Sequence, residues 1–464
     1  MRARQAAAAG AILFLLSAPK VLRSWSPENL KLLYTVTPRY VHLAWITAGE
    51  RFPQGAQILV LDRGQRRRLL NDFAATADPE VSFDGKRILF AGKRGRADHW
   101  QIWEVSPEGG DLRRITSCRT DCVRPFYLPE ERLVYSRKVG GRFVIEVAPM
   151  RGGPGLALTY FPGNALATDV LRDGRILFQA GYPLGSGAKP EMYTVYSDGS
   201  GLDSYRCDHG KGHYSGRQVG SGDIVFARDG GLGRFTSPSA HEMQISAPAG
   251  EYAGDVAELP SGEWVVSRSA DRTSSEPRKK IEAPNRQRVS ELIRWKPGER
   301  ASVVISDSGS HFVQPRPLAP RPVPNRHPSA LHDWSYANLL CLNAYTSKYK
   351  FAEGSIGAVR LYTQDNSGRA QLLGSANVEK DGSFYLRTPA DQPLKIELLD
   401  RNGKTLKKEA GWFWLRKGEQ RICVGCHAGP EVAPENSVPI VLQRSTIAAD
   451  MTRPSTPPSV QGGH

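Results

Sequence analysis

The chain has 464 residues, 40% hydrophobic and 23% charged, with 46 Gly and 33 Pro. That apolar fraction sustains one large or two ordinary cores and excludes a disordered or collagen-like chain, while so many Gly and Pro residues argue against long helices and for turn-rich β architecture. Lys and Arg total 62 against 47 Asp and Glu, a formal charge of +15. The excess is dispersed, with short concentrations at Arg66, Arg67 and Arg68 and at Arg278, Lys279 and Lys280, so no nucleic-acid partner is expected. A solvated basic surface facing an acidic membrane or an acidic partner protein fits better.

At the N-terminus, Arg2 and Arg4 precede an uncharged run from Ala6 to Ala18, and Lys20 and Arg23 follow it. The run falls short of the roughly 20 residues that cross a bilayer core and matches a secretory h-region. Residues 1–23 are therefore expected to be a signal peptide. Leu16 and Pro19 make a poor cleavage site, so an uncleaved N-terminal anchor is the other expectation. Either way the location is periplasmic or otherwise extracytoplasmic, and membrane-anchored in the second case.

Repeats dominate the next three hundred residues. Asp78-Pro-Glu-Val-Ser-Phe-Asp-Gly-Lys-Arg-Ile-Leu-Phe90, then Trp100-Gln-Ile-Trp-Glu-Val105, then Gly109-Gly-Asp-Leu-Arg-Arg-Ile115 spells four strands, with Asp84-Gly85 supplying the positive φ of a tight hairpin. Weaker copies align on Leu128, Leu171, Val219 and Leu259, at spacings of about 40 to 48 residues, as propeller blades require. A further blade is expected over 34–77. Phe312-Val-Gln-Pro-Arg-Pro is expected to supply the strand that completes the first blade. Six blades over residues 34–322 result, and the repeat resembles the TolB-type, WD40-like family of bacterial propellers. Residues 271–289 interrupt the last blade with a polar, basic stretch expected to be a solvated insertion.

Prolines from Pro315 to Pro328 mark a stiff linker. Beyond it, Asn338 to Tyr345, Gly357 to Tyr362, Ser383 to Arg387 and Leu394 to Leu399 alternate as strands between turns such as Asp381-Gly382 and Asn402-Gly403. The expected fold class is thus all-β, a propeller of about six blades followed by a small β-sandwich-like domain over 323–445. Residues 446–464 are Pro-, Ser- and Thr-rich and are expected to be a disordered tail.

Cys423-Val-Gly-Cys426-His427 carries the chemistry. Two thiols three positions apart can form thioethers to the two vinyl groups of one haem, while the adjacent imidazole reaches the iron. One covalent haem c is expected, held by Cys423 and Cys426, with His427 on the iron. Should haem be held differently, His427 could serve another metal. A CxxC disulfide or half of a zinc site is the other possibility, and no second CxxC supports zinc.

Asp381 to Ala390, Leu398 to Gly403, Trp412 to Glu419 and the Cys423–His427 motif together resemble the middle domain of the hydrazine synthase alpha subunit family. In that family the domain follows a propeller and carries a c-type haem, so the resemblance spans about 34–442. Its hydrazine-forming members are multihaem, multisubunit enzymes with a tyrosine near the iron four positions beyond the motif histidine. This sequence has one motif and Glu431 at that position. The resemblance therefore implies haem binding without hydrazine synthesis.

Other residues suit secondary roles. Cys118 and Cys122 flank a turn between two repeats, where an exported chain would form a disulfide. Cys207, His209 and His213 could ligate a metal or the distal side of an iron, and Cys341 is expected to be a buried thiol or to pair with Cys207. His311, His327, His332 and Met451 are nominal sixth ligands, and Trp412 and Trp414, expected on a strand, could pack on a porphyrin. The function expected is that of an exported monohaem cytochrome-like protein acting on a redox partner protein or a small inorganic molecule, by electron transfer or catalysis. A non-catalytic extracytoplasmic propeller scaffold is the alternative, and the catalytic residues stay unassigned.

Overall fold

The computed structural model describes residues 30–47, 49–181, 189–205, 212–238, 240–269, 289–365, 368–425 and 436–453. Six antiparallel sheets follow one another along the chain and make the blades of a propeller. Each begins with its innermost strand: Ala75–Val81, Cys122–Leu128, Asn164–Val170 and Tyr214–Gln218 open blades two to five, and Glu251–Tyr252 with Ala257–Glu258 open the sixth. In the first blade the innermost strand is His311–Pro317, paired antiparallel with Lys31–Thr37. The end of the ring is thus stitched to its beginning, as the Phe312 segment predicts. Alternate apolar residues of neighbouring blades interlock, for instance Phe126, Val134 and Ile145 against Ala165, Phe178 and Tyr193. Ring closure buries a face that no single blade could cover.

The basic triplet Arg66, Arg67 and Arg68 lies wholly exposed on the outermost strand of the first blade. The proposed insertion at 271–289 lies outside the described residues save its last position. Cys118, after the outer strand of blade two, is disulfide-bonded to Cys122 at the start of blade three. Among the described residues no helix is long and apolar enough to cross a membrane. The 1–23 segment lies outside them.

Charged side chains fill the propeller axis. The innermost strands break register at its middle, and Asp78, Arg124, Ser215, Asp255 and Gln314 there take φ between 54° and 56°. Such bulges turn side chains off the strand toward the axis. Arg51 reaches Asp255 at 3.2 Å and Asp78 at 3.4 Å, Arg124 meets Asp255 at 3.5 Å, and Arg316 meets it at 3.4 Å. The Gln314 amide donates to Asp78 and accepts from Thr35 Oγ1 at 2.8 Å. Burial alone would raise the Asp255 carboxyl, yet Arg124, Arg316, Arg51 and Arg217 together hold it well below the usual carboxylate range.

Both ends of this axis are covered. Trp45, Ile46 and Phe52, from the segment following the first strand, pack on Trp100, Phe143 and Leu166, and Asn164 Nδ2 donates to Ile46 O at 2.9 Å. At the opposite end the proline-rich strap crosses from blade one to blade four, with Arg321 N donating to Phe83 O at 2.9 Å and Asn325 N to Arg172 O at 2.7 Å. It rests on two Asp-Gly turns. A Cβ on Gly85 would come within 3.1 Å of Pro320 N, and one on Gly174 within 2.3 Å of Asn325 O. These glycines provide positive φ and also leave room for the strap.

The C-terminal domain stacks two four-stranded sheets. One orders Gln420–Cys423, Tyr336–Cys341, Phe384–Pro389 and Ala449–Asp450, and the other Ala370–Asn377, Ile356–Gln364, Leu394–Asp400 and Thr405–Lys408. Leu339, Leu361, Leu386 and Leu398 fill the space between. The expectation of a disordered tail from 446 needs correction through Arg453. Ala449–Asp450 pairs parallel with Phe384–Pro389, and Met451 is buried among the core leucines, because its apolar side chain completes the open end of the sandwich.

Candidate functional site

The motif begins where a strand runs out. Gln420–Cys423 lies at a sheet edge, parallel to Tyr336–Cys341, with Cys423 in register with Cys341. Leu342 N donates to Cys423 O at 2.9 Å, so Cys423 is fixed at the point where the chain leaves the sheet. A Cβ on Gly425 would lie 2.1 Å from Thr346 O. Glycine at that motif position lets the backbone pass directly against the 343–346 turn. Cys426, His427 and Glu431 lie outside the described residues, as do Cys207 and His209.

Cys341, Cys423 and Gly425 line a cavity of about 290 Å³ between the sandwich and blade four. Its walls are mainly apolar: Leu339, Phe384 and Ile396 from the sandwich, and Trp412, Phe413 and Trp414 from the segment before the motif strand. The propeller supplies Tyr193, Leu202, Asp203 and Ser204. Arg421 also lines the cavity and donates from Nη2 to Leu202 O at 2.5 Å. Burial raises the Asp203 carboxyl, with Arg421 and Arg175 partly opposing it. Burial likewise raises the Cys423 thiol, again with Arg421 opposing. A protonated thiol and a carboxyl shifted toward its protonated form therefore share one apolar chamber.

Trp412 and Trp414 do not lie on a strand. Phe413 between them makes an isolated bridge to Leu394, which throws the two indoles to the other side of the segment, toward the propeller. Trp414 enters the blade-four cluster beside Phe178 and Tyr160, and its Nε1 donates to Gly199 O at 3.3 Å. Arg416 bonds Asp391 Oδ1 at 2.7 Å, Asp198 O at 3.0 Å and the Tyr160 hydroxyl. Glu419 accepts from Gly201 N at 3.2 Å and from Arg416 N at 2.8 Å. The domain is thus keyed to the Asp198–Gly201 turn. Truncating Trp414 to alanine is expected to cost about 3–5 kcal/mol, measured by chemical denaturation, with protease cutting in the 318–335 linker appearing before the propeller unfolds.

The nominal iron ligands disperse. His213 is buried in blade five, 3.3 Å from Glu242. His311 is buried in the first blade, His327 stacks on Tyr196, and His332 stacks on Trp334 beside Gln420. Met451 sits in the sandwich core. Among the described residues, no histidine or methionine lines the cavity. Tyr193, Leu202 and Asp203 had no distinguishing sequence signal, since they belong to an ordinary propeller blade and reach the motif only through docking.

The middle domain of the hydrazine synthase alpha subunit matches residues 343–428. That match contains the cavity-lining residues from Phe384 to Gly425 and the whole motif. Residues 343–428 are thus similar to the hydrazine synthase alpha subunit middle domain. Across a longer span the chain is similar to hydrazine synthase subunit alpha of Kuenenia stuttgartiensis, 22% identical over 512 residues, covering 81% of this chain and 63% of the relative. It therefore spans less than two thirds of that relative's length. The solved structure of Kuenenia stuttgartiensis hydrazine synthase superposes with a TM-score of 0.74 at 19% identity, over 90% of this chain and 72% of that one. The propeller and middle domain thus share one overall fold with that structure. A Protein TolB homolog from Protochlamydia amoebophila is 27% identical over 124 residues, 24% of this chain and 26% of the relative.

Proposed function

We propose that the chain is an exported monohaem c-type protein in which Cys423 and Cys426 carry the macrocycle, His427 faces its iron, and the cavity between sandwich and blade four receives it. One observation carries this reading: Cys423, the first residue of the Cys-x-x-Cys-His motif, opens into an apolar chamber walled by Trp412, Phe413 and Trp414. The residues fit the group. A flat apolar ring needs aromatic and aliphatic walls, and its acidic edge needs a cation, which Arg421 supplies. When bound, such a group supplies a one-electron redox centre.

The chain's own residues set what the centre can do. The indoles and Phe384 exclude water, which favours a less charged iron site. Asp203, raised by burial, can hold a proton beside the cavity, which suits proton-coupled redox chemistry of a small inorganic molecule as well as electron transfer to a partner protein. Export itself is supported by the Ala6 to Ala18 run and the Cys118–Cys122 disulfide. Full-length protein made in an exporting, haem-attaching host is expected to show a Soret band and a haem-staining band that survive denaturation. Colourless protein with unmodified Cys423 and Cys426 by mass spectrometry would overturn the reading. Carbon monoxide added to the reduced protein then separates the two chemistries: a shifted spectrum marks an open iron position and small-molecule reactivity, an unchanged one a filled position and electron transfer.

A further inference from the structure

A second cavity, of about 300 Å³, lies under the proline-rich strap at the far end of the propeller axis. Its charged lining comprises Arg172, Arg217, Arg316 and Arg321 against Glu80, Asp169 and Glu258. Four guanidinium groups thus face three carboxylates, and the carboxylates are already engaged. Glu80 serves Arg217 at 3.5 Å, Arg316 at 3.2 Å and Arg321 at 2.6 Å. Asp169 accepts Gln218 N at 2.8 Å and lies 3.5 Å from Arg217, and Glu258 accepts Gly220 N.

The donors are not used up. Among the described residues Arg321 donates through Nη2 alone, to Glu80 and Val81 O, and Arg172 through Nη2 alone to carbonyl groups, Val219 O and Gly220 O. Deeper in the axis Arg124 Nη2 and Arg51 Nε are buried with no hydrogen-bond partner among the described residues. Much of the remaining wall is Pro317, Pro320, Pro322 and Pro324, which have no N–H to offer. Burial, followed by the neighbouring Arg217 charge, lowers the Arg316 guanidinium from its ordinary value, with Glu80 and Asp255 opposing.

We propose that this cavity is a binding site for a small multivalent oxyanion, held by Arg172 and Arg321 at the strap and backed by Arg217 and Arg316. Forked guanidinium groups match phosphate and carboxylate oxygens in pairs, and two of them, Arg321 on the strap and Arg172 on a blade-four turn, have Nε and Nη1 to give. The site is separate from the haem chamber and does not depend on it. Ligand there would bridge the strap, through Arg321, to blade four, through Arg172.

Calorimetry and thermal unfolding of the full chain, titrated with inorganic phosphate and, separately, citrate at ionic strength fixed with sodium chloride, test the proposal. Saturable binding with a rise in melting temperature is expected for one or both, and none for chloride. Phosphate alone saturating assigns an inorganic oxyanion, and citrate alone a polycarboxylate. Arg321→Gln is expected to weaken binding about tenfold or more, the value of a charge-assisted hydrogen-bond pair, without changing the Soret absorbance per chain. Arg172→Gln, at an exposed turn, gives the same readout should the first variant fold poorly. No saturable binding of either anion, or undiminished affinity in the folded variants, overturns the site.

Discussion

Cys423→Ala is expected to abolish haem that survives denaturation, or to leave at most a small single-thioether fraction anchored by Cys426. The retained Soret absorbance per chain should fall at least tenfold, and Cys426→Ala should behave alike. Because Cys423 closes a strand held by backbone bonds, Gln420–Cys423 against Tyr336–Cys341, losing its sulfur leaves that pairing intact. The variant should therefore unfold near the wild-type denaturant midpoint of the apoprotein. Wild-type haem retention in both variants would place attachment elsewhere. Wild-type stability together with lost haem is the result that ties the sulfur to the cofactor and not to the fold.

Asp255→Asn is expected to destabilise the propeller by about 3–5 kcal/mol, the usual cost of leaving buried charge unpaired. Asn keeps the shape and tolerates the left-handed φ of 56° at this position, so the change isolates the charge. Arg51, Arg124 and Arg316 would each lose their partner on Asp255. The pH dependence follows from the depressed carboxyl pKa. Such a group contributes stability that is fully present above the unfolded value near 4 and disappears only as pH falls through the lower folded value. The gap between wild type and Asp255→Asn in urea should thus be flat from pH 7 to about 5 and narrow in stronger acid. A gap that instead closes between pH 5 and 7 would show that another group governs the axis.

The blades were legible because their information is local. Asp84-Gly85 and the apolar strands beside it specify a hairpin with no help from distant residues, and the 40- to 48-residue spacing needs only counting. The Cys-x-x-Cys-His motif was legible for the same reason. What stayed hidden is whatever the ring assembles from afar. Gln314 and Asp78 are 236 positions apart, and Arg124 and Asp255 are 131, yet they meet on one axis because each sits at the same bulge of its own blade. The chamber beside Cys423 is similar: one side of its wall comes from Tyr193, Leu202, Asp203 and Ser204, which read as an unremarkable blade until docking presents them to the motif. Composition misreads only the stretch through Arg453, where one buried methionine at position 451 outweighs the polar residues around it.

Pairing of His311–Pro317 with Lys31–Thr37 has a consequence for biogenesis. The first strand emerges early from the ribosome but must wait for nearly the entire propeller before its mate arrives. Until then its axis-facing edge is a bare template for foreign strands, so a fragment ending before His311 should self-associate and one reaching Pro317 should not. The sealing strand leads straight into the strap and then the cysteine-bearing module, so the order of synthesis finishes the cage before the sulfurs appear.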